Sequence, residues 1–241
     1  MSNGAPESEP LESAKVADVS VIIPARDSAR FLAEALASIR VQRPRPAEIV
    51  VVDDGSVDDT AAIATAAGDV HLVRQPPRGI AAARNAGIGA ARKSWLAFLD
   101  ADDLWLPGKL ELQLAALAAE PELDGVFTHI RNEFVDPALR QRFHAVEGDV
   151  PGVHVSTMLV RRRSLLAVGG FDESLLRAEF VDWYARAVDA GTKFRVLEGV
   201  YVLRRIHGAN ATLQSHERDG EYVRMLRARI VARRARDRAD S

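Results

Sequence analysis

The segment Phe98-Leu99-Asp100-Ala101-Asp102-Asp103 sets three carboxylates within four positions, directly after the apolar run Trp95-Leu96-Ala97-Phe98-Leu99. Carboxylates packed this closely at the end of a buried strand repel one another unless a cation lies between them. A divalent metal with hard oxygen ligands is the simplest such cation. Asp100 and Asp102 are two apart, so on an extended backbone both point to one side. A metal held by two carboxylates keeps open positions, which substrate phosphates usually fill. The competing reading is structural: an acidic, solvated turn with a helix cap ahead of Leu104-Trp105-Leu106-Pro107.

A second acidic strand end weighs against the structural reading. Glu48-Ile49-Val50-Val51-Val52 is a mostly β-branched run, read as a buried strand, and Asp53-Asp54-Gly55-Ser56 follows it. Asp58 and Asp59 then stand where they cap a helix beginning at Thr60. A first strand, Val19-Ser20-Val21-Ile22-Ile23, ends in Pro24-Ala25-Arg26-Asp27. In an open α/β sheet, ligands bind in the crevice beyond the carboxyl ends of the strands. All three strand ends would face that crevice.

The elements that must position these residues follow from alternation. Strands are expected at 19–23, 48–52, 70–74 and 94–99. Helices are expected at about 28–41, 58–67, 80–93 and 107–119. Alternation at this spacing implies parallel strands joined by right-handed crossover helices. After Ala119 the pattern changes. Further strands are expected at 125–130, 154–161 and 193–203 and a helix at 178–190, with an irregular polar stretch from 131 to 152.

Composition agrees with such a fold. The chain has 241 residues, 47% of them hydrophobic, with a net charge of −2. The charge gives no global field that would favour nucleic acid or acidic lipid. There is no cysteine, which excludes disulfides, zinc-thiolate sites and cysteine nucleophiles. No run approaches the roughly 20 apolar residues that span a bilayer. Residues 1–17 are polar, without the apolar core of a secretory signal. They read as a disordered lead-in, and the protein reads as cytoplasmic.

Taken in order, these motifs resemble a family 2 glycosyltransferase of the GT-A fold. The pattern is Val-Ser-Val-Ile-Ile-Pro, then Glu-Ile-Val-Val-Val-Asp-Asp-Gly-Ser, then Gly79 with Arg84-Asn85 and Gly87, then Phe-Leu-Asp-Ala-Asp-Asp. Gly169-Gly170-Phe171-Asp172-Glu173 and Arg205-x-His207 continue it. The resemblance covers about residues 18–208. It implies a mostly parallel central sheet flanked by helices, with a donor half over about 18–120 and a mixed acceptor half over about 121–208. It also implies transfer of a sugar from a nucleotide-diphosphate donor to an acceptor hydroxyl, usually with inversion, assisted by Mn2+ or Mg2+ at the Asp-x-Asp.

The resemblance assigns roles by position. Asp53 would hydrogen-bond the donor base, with uracil favoured. Pro24, Ala25 and Asp27 would lie in the loop that wraps the nucleotide, although Asp27 stands where relatives often have asparagine and could instead cap its own helix. Gly79 would let a ligand approach the backbone closely. Arg84 would reach the base or the phosphates, unless it is an exposed helix arginine. Asp100 would face the sugar or ribose, Asp102 would ligate the metal, and His207 would close over the diphosphate at the metal. Asp103 would support the ligands or act only as a cap.

The general base departs from the family pattern. Relatives often carry Glu-Asp-x-Asp at a helix start, with the first aspartate as base. This chain reads Glu179-Phe180-Val181-Asp182-Trp183, with Phe180 at the usual base position. Glu179 and Asp182 share one helix face by spacing. Asp182 is the favoured base, with Trp183 as an acceptor-binding wall and Glu179 as a secondary carboxylate. The alternative is that Asp182 pairs with Arg186 and Trp183 is core. Rival functions are an inactive sugar-nucleotide binder, a phosphotransferase or a nucleotidyltransferase. The acceptor class is open. The segment 209–241 carries Arg224, Arg227, Arg229, Arg233, Arg234, Arg236 and Arg238, with Val223, Leu226 and Ile230 on one helical stripe. It reads as a basic helix suited to a membrane surface, to the domain itself or to a second copy.

Overall fold

The computed structural model describes residues 16–142, 148–150, 152–208 and 210. The basic tail beyond Asn210, and with it the expected membrane or dimer contact, lies outside the described residues. The lead-in is shorter than expected, because Val16 and Ala17 already belong to the first strand and pair with Arg45 and Pro46.

The first half alternates as the sequence predicts. It runs β1 (Val16–Ala25), α1 (Leu32–Arg40), β2 (Arg45–Asp54), α2 (Thr60–Ala66), β3 (His71–Gln75), α3 (Ile80–Ala90) and β4 (Trp95–Phe98). Then come β5 (Leu104–Trp105), α4 (Lys109–Ala119), β6 (Gly125–Phe134), α5 (Leu139–Arg142) and β7 (Gly148–Val150). A 3-10 turn (Val155–Thr157), β8 (Leu159–Arg161), α6 (Arg162–Val168), α7 (Glu179–Asp189) and β9 (Phe194–Ile206) complete it. The expected strand over 154–161 is therefore a turn followed by a three-residue strand. The sequence reading missed β5, α5, β7 and α6, each too short for an apolar period to show.

The nine strands among the described residues form one sheet, ordered β3-β2-β1-β4-β8-β6-β9-β5, with β7 beside β6. β1, β2, β3 and β4 are parallel neighbours. β8 runs antiparallel between β4 and β6, and β5 runs antiparallel to β9. The mostly parallel sheet with a mixed second half is thus present, but the halves interlock. β5 comes from the first half and lies at the sheet edge beside the last strand.

Period-2 alternation explains the layers. Val19, Val21 and Ile23 of β1 face one core with Leu32, Leu36 and Ile39 of α1 and with Leu110 and Leu117 of α4. Ile22 faces the opposite core with Ile88, Phe98, Leu165 and Trp183. Helices therefore cover both faces, as buried parallel strands require. No helix among the described residues is long and apolar enough to cross a membrane.

Candidate active site

The Asp53-Asp54 turn is a closed hydrogen-bond unit. Asp53 Oδ1 accepts from the Ser56 amide at 2.9 Å, and Oδ2 accepts from Arg74 Nε at 3.1 Å. Burial would raise the Asp53 pKa; the Ser56 and Arg74 bonds outweigh it and hold the carboxyl below its ordinary range. The Asp53 side chain is 1% exposed, whereas Arg74 is 66% exposed. Asp54 accepts from the amides of Arg78 and Gly79, both at 2.8 Å, and from Gln75. This pins Gly79 at a φ of 94°, where a side chain is strained. A Cβ there would meet nothing within 4 Å, so the space over Gly79 is open.

Asp27 caps a neighbour rather than its own helix. Its Oδ1 accepts from the Val57 amide at 2.9 Å, and its φ of 48° turns β1 into the loop. Pro24 and Ala25 remain in the sheet, in register with Val52 and Asp53, so the loop proper begins at Arg26. Asp58 accepts from the Ala29 and Thr60 amides and joins the two loops; Asp59 makes no capping bond.

The Asp100–Asp103 segment is a turn, closed by the Asp103 amide on the Asp100 carbonyl at 3.0 Å. The expectation that Asp100 and Asp102 project together from an extended strand is corrected by this turn. The three carboxylates take separate partners. Asp100 Oδ1 accepts from Arg84 Nη2 at 2.8 Å. Burial raises the Asp100 pKa, and the Arg84 charge outweighs it, so the carboxyl stays below its ordinary range. Asp102 Oδ2 lies 3.0 Å from His207 Nε2 and accepts from Asn210 Nδ2 at 2.9 Å. Asp103 is buried and accepts from the Arg205 amide at 3.2 Å. Burial, then the Asp102 and Asp100 charges, push Asp103 well above the usual carboxylate range. Asp103 is therefore part of the scaffold.

Strand pairing explains how His207 reaches Asp102. Leu104 pairs with Leu203 and Trp105 with Val202, antiparallel. Continuing that register sets Asp102 and Asp103 beside Arg205. Arg205 Nε donates to the Asp102 carbonyl, and its Nη1 pairs with Glu34. The His207 ring rests on Phe31, with ring centroids 4.6 Å apart.

Arg84 is not an exposed helix arginine. It is 3% exposed, and its guanidinium joins Asp100 to Glu179. The sequence reading missed this link because α3 and α7 are far apart in the chain. The adjacent Asn85 holds the loop before α7. Its Nδ2 donates to the Phe171 carbonyl at 2.9 Å, and its Oδ1 accepts from the Phe171 amide at 2.9 Å. A Cβ on Gly170 would sit 2.6 Å from that oxygen, which explains the glycine.

Glu179 and Asp182 diverge despite their spacing. Glu179 is buried at the start of α7, with Oε1 on Arg84 and a buried Oε2 that has no hydrogen-bond partner among the described residues. Asp182 Oδ2 accepts from Arg186 Nε at 2.7 Å, and Arg186 also binds the Val168 and Gly170 carbonyls. Trp183 is fully buried and donates to the Gly169 carbonyl at 3.0 Å, so it is core and not an acceptor wall. Phe180 packs against Phe127, Trp183 and Tyr184.

The sequence reading also missed the 154–157 turn. The Ser156 amide donates to His154 Nδ1 at 3.2 Å. The Ser156 hydroxyl lies 3.4 Å from both the Asp100 amide and Asp103 Oδ2. Burial pushes the His154 pKa down to about 4, against the pull of Asp100. Nothing in the local sequence marks this histidine; only the insertion of β8 beside β4 brings it to Asp100.

Asp102 with His207 forms a carboxylate–imidazole pair; the carboxylate suits a hard divalent cation such as Mn2+ or Mg2+, and the imidazole suits divalent transition metals more widely. Among the described residues no third histidine or carboxylate completes a ligand group. The remaining positions are ones that diphosphate oxygens would fill. The residues present thus fit a divalent metal shared with a phosphorylated ligand.

Known proteins share this fold. Among solved structures, Mannosyltransferase PcManGT from Pyrobaculum calidifontis, in complex with GDP-Man and Mn2+, matches with a TM-score of 0.67 at 21% identity, covering 88% of this chain and 64% of that one. S. aureus TarS 1-349 in complex with UDP-GlcNAc matches with a TM-score of 0.65 at 22% identity, covering 82% and 61%. The fold is GT-A. Among curated proteins, the succinoglycan biosynthesis protein ExoU of Rhizobium meliloti is 31% identical over 236 residues, covering 86% of this chain and 67% of that protein. The pre-mycofactocin glycosyltransferase of Mycobacterium tuberculosis is 31% identical over 198 residues, covering 74% and 40%. The chain thus spans about two thirds or less of the relatives it matches. The model of glycosyl transferase family 2 matches residues 20–178, from the second half of β1 to the threshold of α7, and the chain belongs to that family.

Proposed function

We propose that the chain transfers a sugar from a nucleotide-diphosphate donor to an acceptor hydroxyl, with inversion and with a divalent metal at Asp102. The observation that carries this reading is the 3.0 Å approach of His207 Nε2 to Asp102 Oδ2 at the crevice end of the sheet. Asp102 and His207 would hold Mn2+ or Mg2+ there, and the metal would offset the charge developing on the leaving diphosphate. Asn210 keeps the Asp102 carboxylate oriented.

Glu179 is the proposed general base, in place of Asp182. Arg84 compensates its charge through Oε1, which leaves Oε2 without a partner in a buried position. A buried carboxylate oxygen without a partner is costly unless a ligand completes it. An acceptor hydroxyl donating to Oε2 would do so. As that hydroxyl's oxygen bonds to the anomeric carbon, its proton passes to Glu179 and the bond to the diphosphate oxygen breaks. Asp182 is committed to Arg186.

Asp53 would read the donor base, with a uracil favoured because its ring N–H can donate to a carboxylate. Arg74 must release Oδ2 for this, and its exposure lets it swing away. Release of nucleoside diphosphate from UDP-sugars, followed with and without Mn2+, tests the reading. The inactive-binder alternative rests on Phe180; it predicts donor binding with no diphosphate release.

A further inference from the structure

Phe31 is buried at the start of α1, yet it belongs to none of the apolar clusters formed by the described residues. A phenyl ring that leaves water without joining a core serves something else, and three polar groups use this one. The His207 ring lies against it, with centroids 4.6 Å apart and planes inclined by 33°. The Arg205 guanidinium carbon stands 4.7 Å from its centroid, and that of the exposed Arg30 stands 4.9 Å away. Both are cation–π distances. Arg205 is itself buried, and its Nη2 has no hydrogen-bond partner among the described residues, so hydrogen bonds alone do not compensate that charge.

Two of these contacts lead to the two members of the metal pair. His207 is one member. Arg205 leads to the other: its Nε donates to the Asp102 carbonyl, and its own carbonyl accepts at 3.0 Å from Asn210 Nδ2, which also holds Asp102 Oδ2. The backbone that carries the ring is fixed. The Phe31 amide donates to the Ser28 carbonyl at 2.9 Å, and the Phe31 carbonyl accepts from the Glu34 and Ala35 amides, both at 3.1 Å, where α1 begins. The Ser28 amide is tied in turn to Thr60 Oγ1 at 2.8 Å. Glu34, one turn along α1, pairs with Arg205 from the same helix. A ligating imidazole keeps its affinity only while its ring is held in orientation, and the groups behind the ligands do the holding. We propose that Phe31 is a positioning residue for the metal site: its ring fixes the plane of His207 and, through Arg205, the backbone of Asp102. This rests on the glycosyltransferase reading above and on its metal pair.

Three variants separate this role from a structural one. Phe31→Leu removes the flat face and keeps an apolar side chain. Phe31→Tyr keeps the face. Ile39→Val loosens α1 within the core, on a residue that makes none of these contacts. Mn2+ would be titrated into each chain at saturating UDP or GDP, whichever supports Mn2+ binding by the native chain. Free Mn2+ is counted by electron paramagnetic resonance, with thermal melts alongside. Phe31→Leu should weaken Mn2+ binding by about tenfold, the lower end for a residue that orients a ligand, and Phe31→Tyr should stay within about twofold of native. Ile39→Val should lower the melting temperature and leave Mn2+ affinity native. Native Mn2+ affinity in Phe31→Leu overturns the inference alone. So does an equal loss in Phe31→Tyr or in Ile39→Val, which would mark a general loosening of α1. Where Phe31→Leu does not fold, Phe31→Met carries the same prediction, and failure of both to fold overturns the role by marking the ring as structural. No Mn2+ binding by the native chain with either nucleotide overturns the metal reading itself, and this role with it.

Discussion

His207 Nε2 lies 3.0 Å from Asp102 Oδ2 although 105 positions separate the two residues. The pairing of β5 with β9 makes this approach, because it returns the last strand to the acidic turn after β4. If the two residues form a metal site, each should matter to the metal. Asp102→Asn should weaken Mn2+ binding in the presence of UDP by on the order of 100-fold, and His207→Ala by at least tenfold. Titration calorimetry of Mn2+ into the UDP complex measures both. Native Mn2+ affinity in either variant would remove that residue from the site.

The Glu179 and Asp182 assignments separate kinetically. Glu179→Gln should lower kcat by roughly 10²–10⁴-fold and leave donor affinity near native, as loss of a base does. Asp182→Asn should cost only about 0.5 kcal/mol of stability, the scale of an i,i+4 pair. Its turnover should stay within about threefold of native. A larger kcat loss in Asp182→Asn than in Glu179→Gln would reverse the roles.

Arg84 is the shared partner of two carboxylates, and both lose it together. Arg84→Met should destabilise the fold by about 3–5 kcal/mol, the cost of leaving buried charges uncompensated. The double variant Arg84→Met with Glu179→Gln should recover part of that loss, because one orphaned charge disappears. Urea denaturation of the three variants and the native chain measures the cycle. Strict additivity would mean the pair does not interact.

His154 makes stability depend on pH in a defined window. Its folded pKa lies near 4, below the ordinary 6.5, so between these values the unfolded chain holds a proton that the folded chain does not. Stability therefore rises as pH increases from about 4 to 6.5 and is lost on acidification. His154→Asn removes this contribution. The difference in melting temperature between native and variant should thus change across that window and level off above it. A constant difference from pH 4 to 7 would contradict the lowered pKa of the ring.

The fold was legible where apolar runs were long. β1, β2, β4 and β6 and the helices α1, α3, α4 and α7 announce themselves by period and by acidic or glycine punctuation. The site was legible only in its strand ends. Asp102 and His207 carry motif signals, and they meet. The Arg84–Glu179 pair joins two helices 95 positions apart, and no local pattern in the sequence reports a contact of that span. Asp182 and Glu179 look equivalent at three-residue spacing. Their neighbours decide otherwise: Arg186 captures one, and Arg84 captures the other. No local pattern marks His154, because β8 inserts between β4 and β6 and the sheet order does not follow the chain order.

Diphosphate release from nucleotide sugars is the most direct test of the central reading. The full chain would be supplied with UDP-sugars in Mn2+, then in excess chelator, and again as Asp102→Asn. UDP release should need the metal and fall by about 10² or more in the variant, given the several kcal/mol that a metal supplies to such a leaving group. Equal release with and without metal, or native release by Asp102→Asn, would contradict it.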